Sequence, residues 1–114
     1  MDEILSVGPL NNAQLRYDST VGNPMFNVGD TIKFKNSSHL YWNTYSSDLC
    51  AWRRDSNYWH GNWSGNTAYL GIKISFNNSL HCGWVNLSVD TLNNKIIFNF
   101  SDFNNEPERD FIIQ

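Results

Sequence analysis

A chain of 114 residues has room for one core, so a single domain over residues 1–114 is expected, with residues 1–25 as a weakly structured lead-in. Eight Lys and Arg against 11 Asp and Glu give a net charge of -3, too little positive charge to follow a phosphate backbone, so nucleic acid is excluded as a partner. No apolar run approaches the roughly 20 residues that span a bilayer, and Met1-Asp2-Glu3-Ile4 lacks the basic and apolar regions of a signal peptide. On that reading the chain is either intracellular or a fragment whose leader lies elsewhere.

Helical periodicity is nearly absent, and apolar residues recur every second position. Ala13 to Tyr17 reads as a first strand, and Gly22-Asn23-Pro24 as a turn. After the turn signal Val28-Gly29-Asp30, Thr31 to Phe34 forms a short strand. Leu40 to Tyr45 and Cys50 to Arg53 are further short strands, and Asp55 to Asn66, rich in Gly, Asn, Ser and Trp, reads as a long surface loop.

The clearest pattern starts at Ala68. Leu70, Ile72, Ile74 and Phe76 alternate with Tyr69, Gly71, Lys73 and Ser75, as in a half-buried strand. Asn77-Asn78 can close a two-residue hairpin, because Asn tolerates positive φ. The returning strand runs from Ser79 to Asp90, with Val85, Leu87 and Val89 on one face. Facing Phe76 with Ser79 places Leu70 opposite Val85, Ile72 opposite Gly83, and Gly71 opposite Trp84. The indole is then expected to cover the glycine. After a turn at Asn93-Asn94, Lys95 to Phe103 is a strand with Ile96, Phe98 and Phe100 on one face. The acidic stretch Asn104 to Asp110 is a loop, and Phe111 to Ile113 an edge strand. Many short strands with frequent turns predict an all-β fold: an antiparallel β-sandwich or jelly-roll-like domain with a long aromatic-rich loop.

The segments Tyr69-Leu70-Gly71-Ile72-Lys73-Ile74 and His81-Cys82-Gly83-Trp84-Val85-Asn86-Leu87-Ser88-Val89 resemble a hairpin near the C-terminus of a family of secreted bacterial proteins, many from Bacteroidetes-like genomes. Val28-Gly29-Asp30-Thr31-Ile32 and Tyr41-Trp42 are similar to upstream segments of that family. The resemblance covers about residues 26 to 113. It implies a secreted or cell-surface β module of unassigned function and supplies no catalytic residue. Cys82 stands where the family usually has Tyr, and the family's acidic, calcium-binding-like upstream segment has no counterpart here. A shortened relative of this kind could expose an apolar face and form a homodimer.

No nucleophile motif, metal-ligand spacing or phosphate-cradling glycine loop occurs, so an enzyme is not expected. His81 and Cys82 are neighbours on a strand and point to opposite faces, so these two alone cannot form a catalytic pair. Cys50 and Cys82 could form a disulfide in an oxidising compartment, or stay buried as thiols. The carboxylates Asp102, Glu106, Glu108 and Asp110 could hold Ca²⁺ or simply be solvated. Asn36, Asn62, Asn77, Asn86 and Asn99 each begin an Asn-x-Ser sequon, relevant only where the host glycosylates Asn.

The candidate ligand-binding residues are Trp42, Trp52, Arg53, Tyr58, Trp59, His60 and Trp63. Aromatic platforms with polar neighbours suit sugars and protein interfaces alike, while the same rings could instead pack beneath the loop as a satellite core. A glycan is the first expected ligand, with a surface protein as the other. The alternative is a structural or assembly module that packs on a missing N-terminal half or on a copy of itself.

Overall fold

Period-two alternation and Asn-rich turns leave the chain little choice but short antiparallel strands. The computed structural model, which describes residues 3–10 and 12–114, contains ten of them and no helix among the described residues. Met1 and Asp2, on which the leader reading rests, fall outside. The strands are β1 (Glu3–Val7), β2 (Gln14–Asp18), β3 (Thr31–Ile32), β4 (Leu40–Asn43) and β5 (Ser47–Arg53), then β6 (Tyr58–His60), β7 (Thr67–Phe76), β8 (Ser79–Asp90), β9 (Lys95–Phe103) and β10 (Phe111–Ile112). The lead-in holds β2, where the strand at Ala13 to Tyr17 is expected, and also β1, which the sequence pattern does not announce. The loop expected over Asp55 to Asn66 contains β6, which pairs with β5.

The sheets are antiparallel and packed together as a β-sandwich. A five-stranded sheet of order β4-β2-β7-β8-β9 forms the centre. One face packs against the three-stranded sheet β1-β5-β6, and the other against the two-stranded ribbon β3-β10. The first face buries Leu15, Ala68, Leu70, Leu87 and Val89 against Leu49, Cys50 and Trp63. On the second face, Cys82 and Trp84 meet Ile32 and Ile113, with Phe26, Phe34, Trp42, Tyr69 and Phe111 packed around them. Both faces of β7 are therefore covered, including the face whose Tyr69, Gly71 and Lys73 read as polar.

The β7–β8 register matches the sequence expectation at every pair named: Phe76 faces Ser79, Ile72 faces Gly83, Gly71 faces Trp84 and Leu70 faces Val85. Asn77 and Asn78, at φ 52° and 63°, make the two-residue turn. The expected cover over Gly71 is different. The atoms nearest to a Cβ built there belong to Arg16 and Ile32, not Trp84.

Two bulges break the alternation. Between Leu5 and Ser6 the β1–β5 register shifts, which leaves Leu49 unpaired and lets Leu49 and Cys50 both turn inward. Between Asn86 and Leu87 the β8–β9 register shifts, leaving Asn99 as the extra residue on β9. The second bulge moves Phe100 off the face of Ile96 and Phe98, where strict alternation had placed it. Its ring instead meets Tyr69 and Trp84, with centroids at 6.1 and 5.6 Å.

Candidate functional site

The seven expected ligand-binding residues do not form one site. Trp63 is 2% exposed, and its indole N–H donates to the Asn23 carbonyl at 2.8 Å. A ring so enclosed is part of the core and offers no face to a ligand. Trp42, on β4, pairs with Arg16 of β2 and packs on the opposite face of the central sheet. Its Nε1 donates to the Phe34 carbonyl at 2.8 Å, while the Arg16 guanidinium and the Lys73 ammonium each sit 4.7 Å from its ring. Its surroundings are cationic side chains of the chain itself.

The other five remain together on the β5–β6 hairpin. Pairing puts Trp52 opposite Trp59 and Arg53 opposite Tyr58, while His60 faces Ala51. Trp52 and Trp59 meet edge to face at 6.1 Å, and Trp59 packs on the core, so this pair supports the hairpin from beneath. Strand alternation turns Arg53, Tyr58 and His60 to the outer face. There the Tyr58 and His60 rings stack at 4.2 Å and 29°, and Tyr58 is 55% exposed. A hydrogen bond of 2.6 Å between Ser56 Oγ and His60 Nε2 holds the imidazole in place. Asn57, at φ 59°, forms the tight turn next to it. The result is an aromatic shelf with Arg53 across from Tyr58 and Asn57 in the adjoining turn.

A second constellation was not legible as a site in the sequence. Arg16 and Lys73 both point to the ribbon face, and both are buried, at 0% and 6% exposure. Lys73 Nζ donates to the Phe34 carbonyl at 2.9 Å and lies 3.9 Å from the Phe34 ring. Arg16 Nη2 donates to the Lys35 carbonyl at 3.0 Å, whereas its Nε and Nη1 are buried with no hydrogen-bond partner. Burial pushes both pKa values down, against the pull of Cys82 on each. Next to them is a cavity of about 530 Å³ lined by Arg16, Lys33, Lys35, Asn36, Glu108 and Asp110, among others. The available signal was the alternation itself: Arg16 and Lys73 fall on strand positions that two layers of apolar residues enclose.

Cys50 and Cys82 are free thiols, each buried, and they belong to different cores on opposite faces of the central sheet. The disulfide weighed above is therefore not formed; the sheet itself stands between the two clusters. Burial raises both thiol pKa values, that of Cys82 to about 11. His81 lies on the face opposite Cys82, and its Nδ1–H donates to the Asn104 carbonyl at 2.7 Å. Of the acidic-loop carboxylates weighed for Ca²⁺, Asp110 accepts the Phe34 N–H at 2.8 Å and lies 3.7 Å from Lys33, and Glu106 lies 3.7 Å from Arg109. Asp102 accepts the Phe103 N–H at 2.8 Å. Among the described residues no three metal-ligating side chains converge, and no helix is long and apolar enough to cross a membrane. Comparison of the chain with protein-family models, curated proteins and solved structures gives no match.

Proposed function

We propose that the protein is a non-catalytic extracellular binding module that takes a glycan on the outer face of the β5–β6 hairpin. The observation that carries this reading is the exposed Tyr58–His60 stack, with Arg53 facing Tyr58 across the strand. An aromatic face suits the C–H side of a pyranose, and Arg53 and Asn57 offer hydrogen bonds to its hydroxyls. Trp52 and Trp59 keep the shelf rigid, so little ordering is needed on binding. The test is a glycan panel probed with the wild-type chain, Tyr58→Ala and Arg53→Ala. Binding to one sugar class that both substitutions weaken at least tenfold supports the reading. No binding, or binding that both variants keep, refutes it.

A specific observation also favours the assembly alternative. β9 is an edge strand on which Phe98 and Phe100 are 69% and 55% exposed. Such an edge can pair with a second copy of itself. The Asn99 bulge puts Ile97 and Phe100 on the same face as Lys95 and Asp102. An antiparallel pairing of two β9 strands can then face Lys95 with a second copy's Asp102, and Ile97 with its Phe100, each of these two pairs on a common face. Sedimentation of the chain at rising concentration is the check; a strictly monomeric chain at high micromolar concentration rules this assembly out.

A further inference from the structure

We propose that the cavity beside Arg16 is a binding site for an oxyanion group (carboxylate, sulfate or phosphate), with Arg16 as its floor and Lys33 and Lys35 at its mouth. The chain has only eight Lys and Arg and a net charge of -3. Four of those eight, Arg16, Lys33, Lys35 and Lys73, nonetheless gather at one end of the ribbon face, in or beside this cavity. Charge collected against the overall balance of a protein focuses a positive potential there.

Arg16 supplies the second, independent observation. It is fully buried, lines the cavity, and has two guanidinium nitrogens, Nε and Nη1, without an acceptor. Nε–H and Nη1–H leave different edges of the guanidinium, so each offers one charge-assisted hydrogen bond to an oxyanion oxygen rather than a shared two-point grip. The side chain cannot easily turn away. Its Nη2 is fixed to the Lys35 carbonyl, and its guanidinium is packed against Trp42. The site is also partly desolvated by Phe34 and Leu40, which strengthens an ionic contact.

The two carboxylates in the lining do not cancel this. Asp110 is engaged by the Phe34 N–H and by Lys33, and Glu108 is set at the rim with a left-handed φ of 58° and an exposed side chain. Because the Arg16 guanidinium has no solvent exposure, an anion reaches it only with a local shift of the residues that line the cavity around it. The site is built on the ribbon face, away from the β5–β6 hairpin, and is independent of the glycan reading.

The experiment is a thermal melt of the full chain against sodium sulfate, sodium phosphate and sodium acetate, each compared with sodium chloride at equal ionic strength. It is paired with NMR of the Arg16 Nε–H and the Trp42 indole N–H. The expected result is a saturable rise in melting temperature for at least one oxyanion, with matching shifts of both N–H signals. Lys33→Gln with Lys35→Gln should lower the melt without oxyanion only slightly, since the Lys33–Asp110 pair that is lost is exposed, and should weaken binding at least tenfold. Arg16→Met should abolish the saturable response. If Arg16→Met does not fold, the double Lys variant and the Arg16 Nε–H signal still decide the matter. A rise that does not saturate, or that chloride reproduces, overturns the proposal, as does a saturable shift that leaves the Arg16 and Trp42 signals unmoved. Which of the three anions gives the tightest response separates a phosphate or sulfate ester from a carboxylate as the natural group.

Discussion

The space over Gly71 belongs to Arg16: a Cβ built on the glycine would lie 2.9 Å from Arg16 Cβ and 3.3 Å from Ile32 Cδ1. The close approach of the β2 side chain to the β7 backbone leaves Arg16 room between Gly71 and Ile32. Gly71→Ala forces the root of the Arg16 side chain aside, and overpacking of this kind costs about 1–3 kcal/mol. A drop in the urea midpoint with unchanged slope is the expected reading.

Trp63 and Tyr58 should separate core from surface. Trp63→Ala removes a buried indole and its hydrogen bond to Asn23, and should destabilise the protein by about 3–5 kcal/mol. Tyr58→Ala removes an exposed ring and should stay within about 0.5 kcal/mol. Denaturant melts of the two variants test this directly, and a small loss for Trp63→Ala would contradict its place in the core.

Stability should fall at alkaline pH through Cys82. The unfolded thiol titrates near 9.0 and the folded one near 11. Below pH 9 both states hold the proton and the difference is constant. Between the two values the unfolded state has released its proton and the folded state has not, so unfolding is favoured as pH rises. Two pKa units correspond to about 3 kcal/mol. Lys73, whose pKa is lowered by burial, acts with the opposite sign below 10.5. The difference between wild type and Cys82→Ala across pH 8.5–11 isolates the thiol, and native Cys82 should resist iodoacetamide at pH 8.

The β7–β8 turn has a plain chemical test. Asn78 sits at φ 63°, where a Cβ-bearing residue without a local polar side chain is strained. Asn78→Ala should cost about 1 kcal/mol, while Asn78→Gly should be neutral or stabilising. Equal melting temperatures for the two variants would show that the turn does not set the hairpin.

If β9 pairs with a second copy, Lys95→Glu should weaken the dimer, because it faces a carboxylate with a carboxylate. Adding Asp102→Lys to the same chain should restore it. Sedimentation equilibrium of the three forms gives the answer, and raised salt should reduce the difference between them.

The strands legible in the sequence are those whose alternation is unbroken. β7 and β8 were readable to the register because Leu70, Ile72, Val85 and Leu87 repeat without interruption. β1 and β6 were not, since each is short and depends on β5 for its pairing. The bulges at Leu49 and Asn99 each add one residue, and a strict period of two then assigns the following side chain to the wrong face. The aromatic cluster between residues 42 and 63 looked like one surface because proximity along the chain says nothing about layers. The strands carry Trp42 to one side of the central sheet and Trp63 to the other. Arg16 and Lys73 are illegible as a site for a related reason. A charged residue in an alternating strand reads as solvent-facing until a second layer is known to cover it.

The ribbon layer is closed by contacts far apart in sequence. Phe34 N–H donates to Asp110 across a separation of 76 residues, and Gly29 N–H donates to the Ile113 carbonyl. During synthesis on the ribosome, Ile32 and Trp84 both emerge before the segment that seals them, so for that interval the nascent polypeptide carries an open hydrophobic cleft. The interval is when a chaperone would be needed, and slowing translation after residue 90 should raise the yield of aggregated product rather than of folded protein.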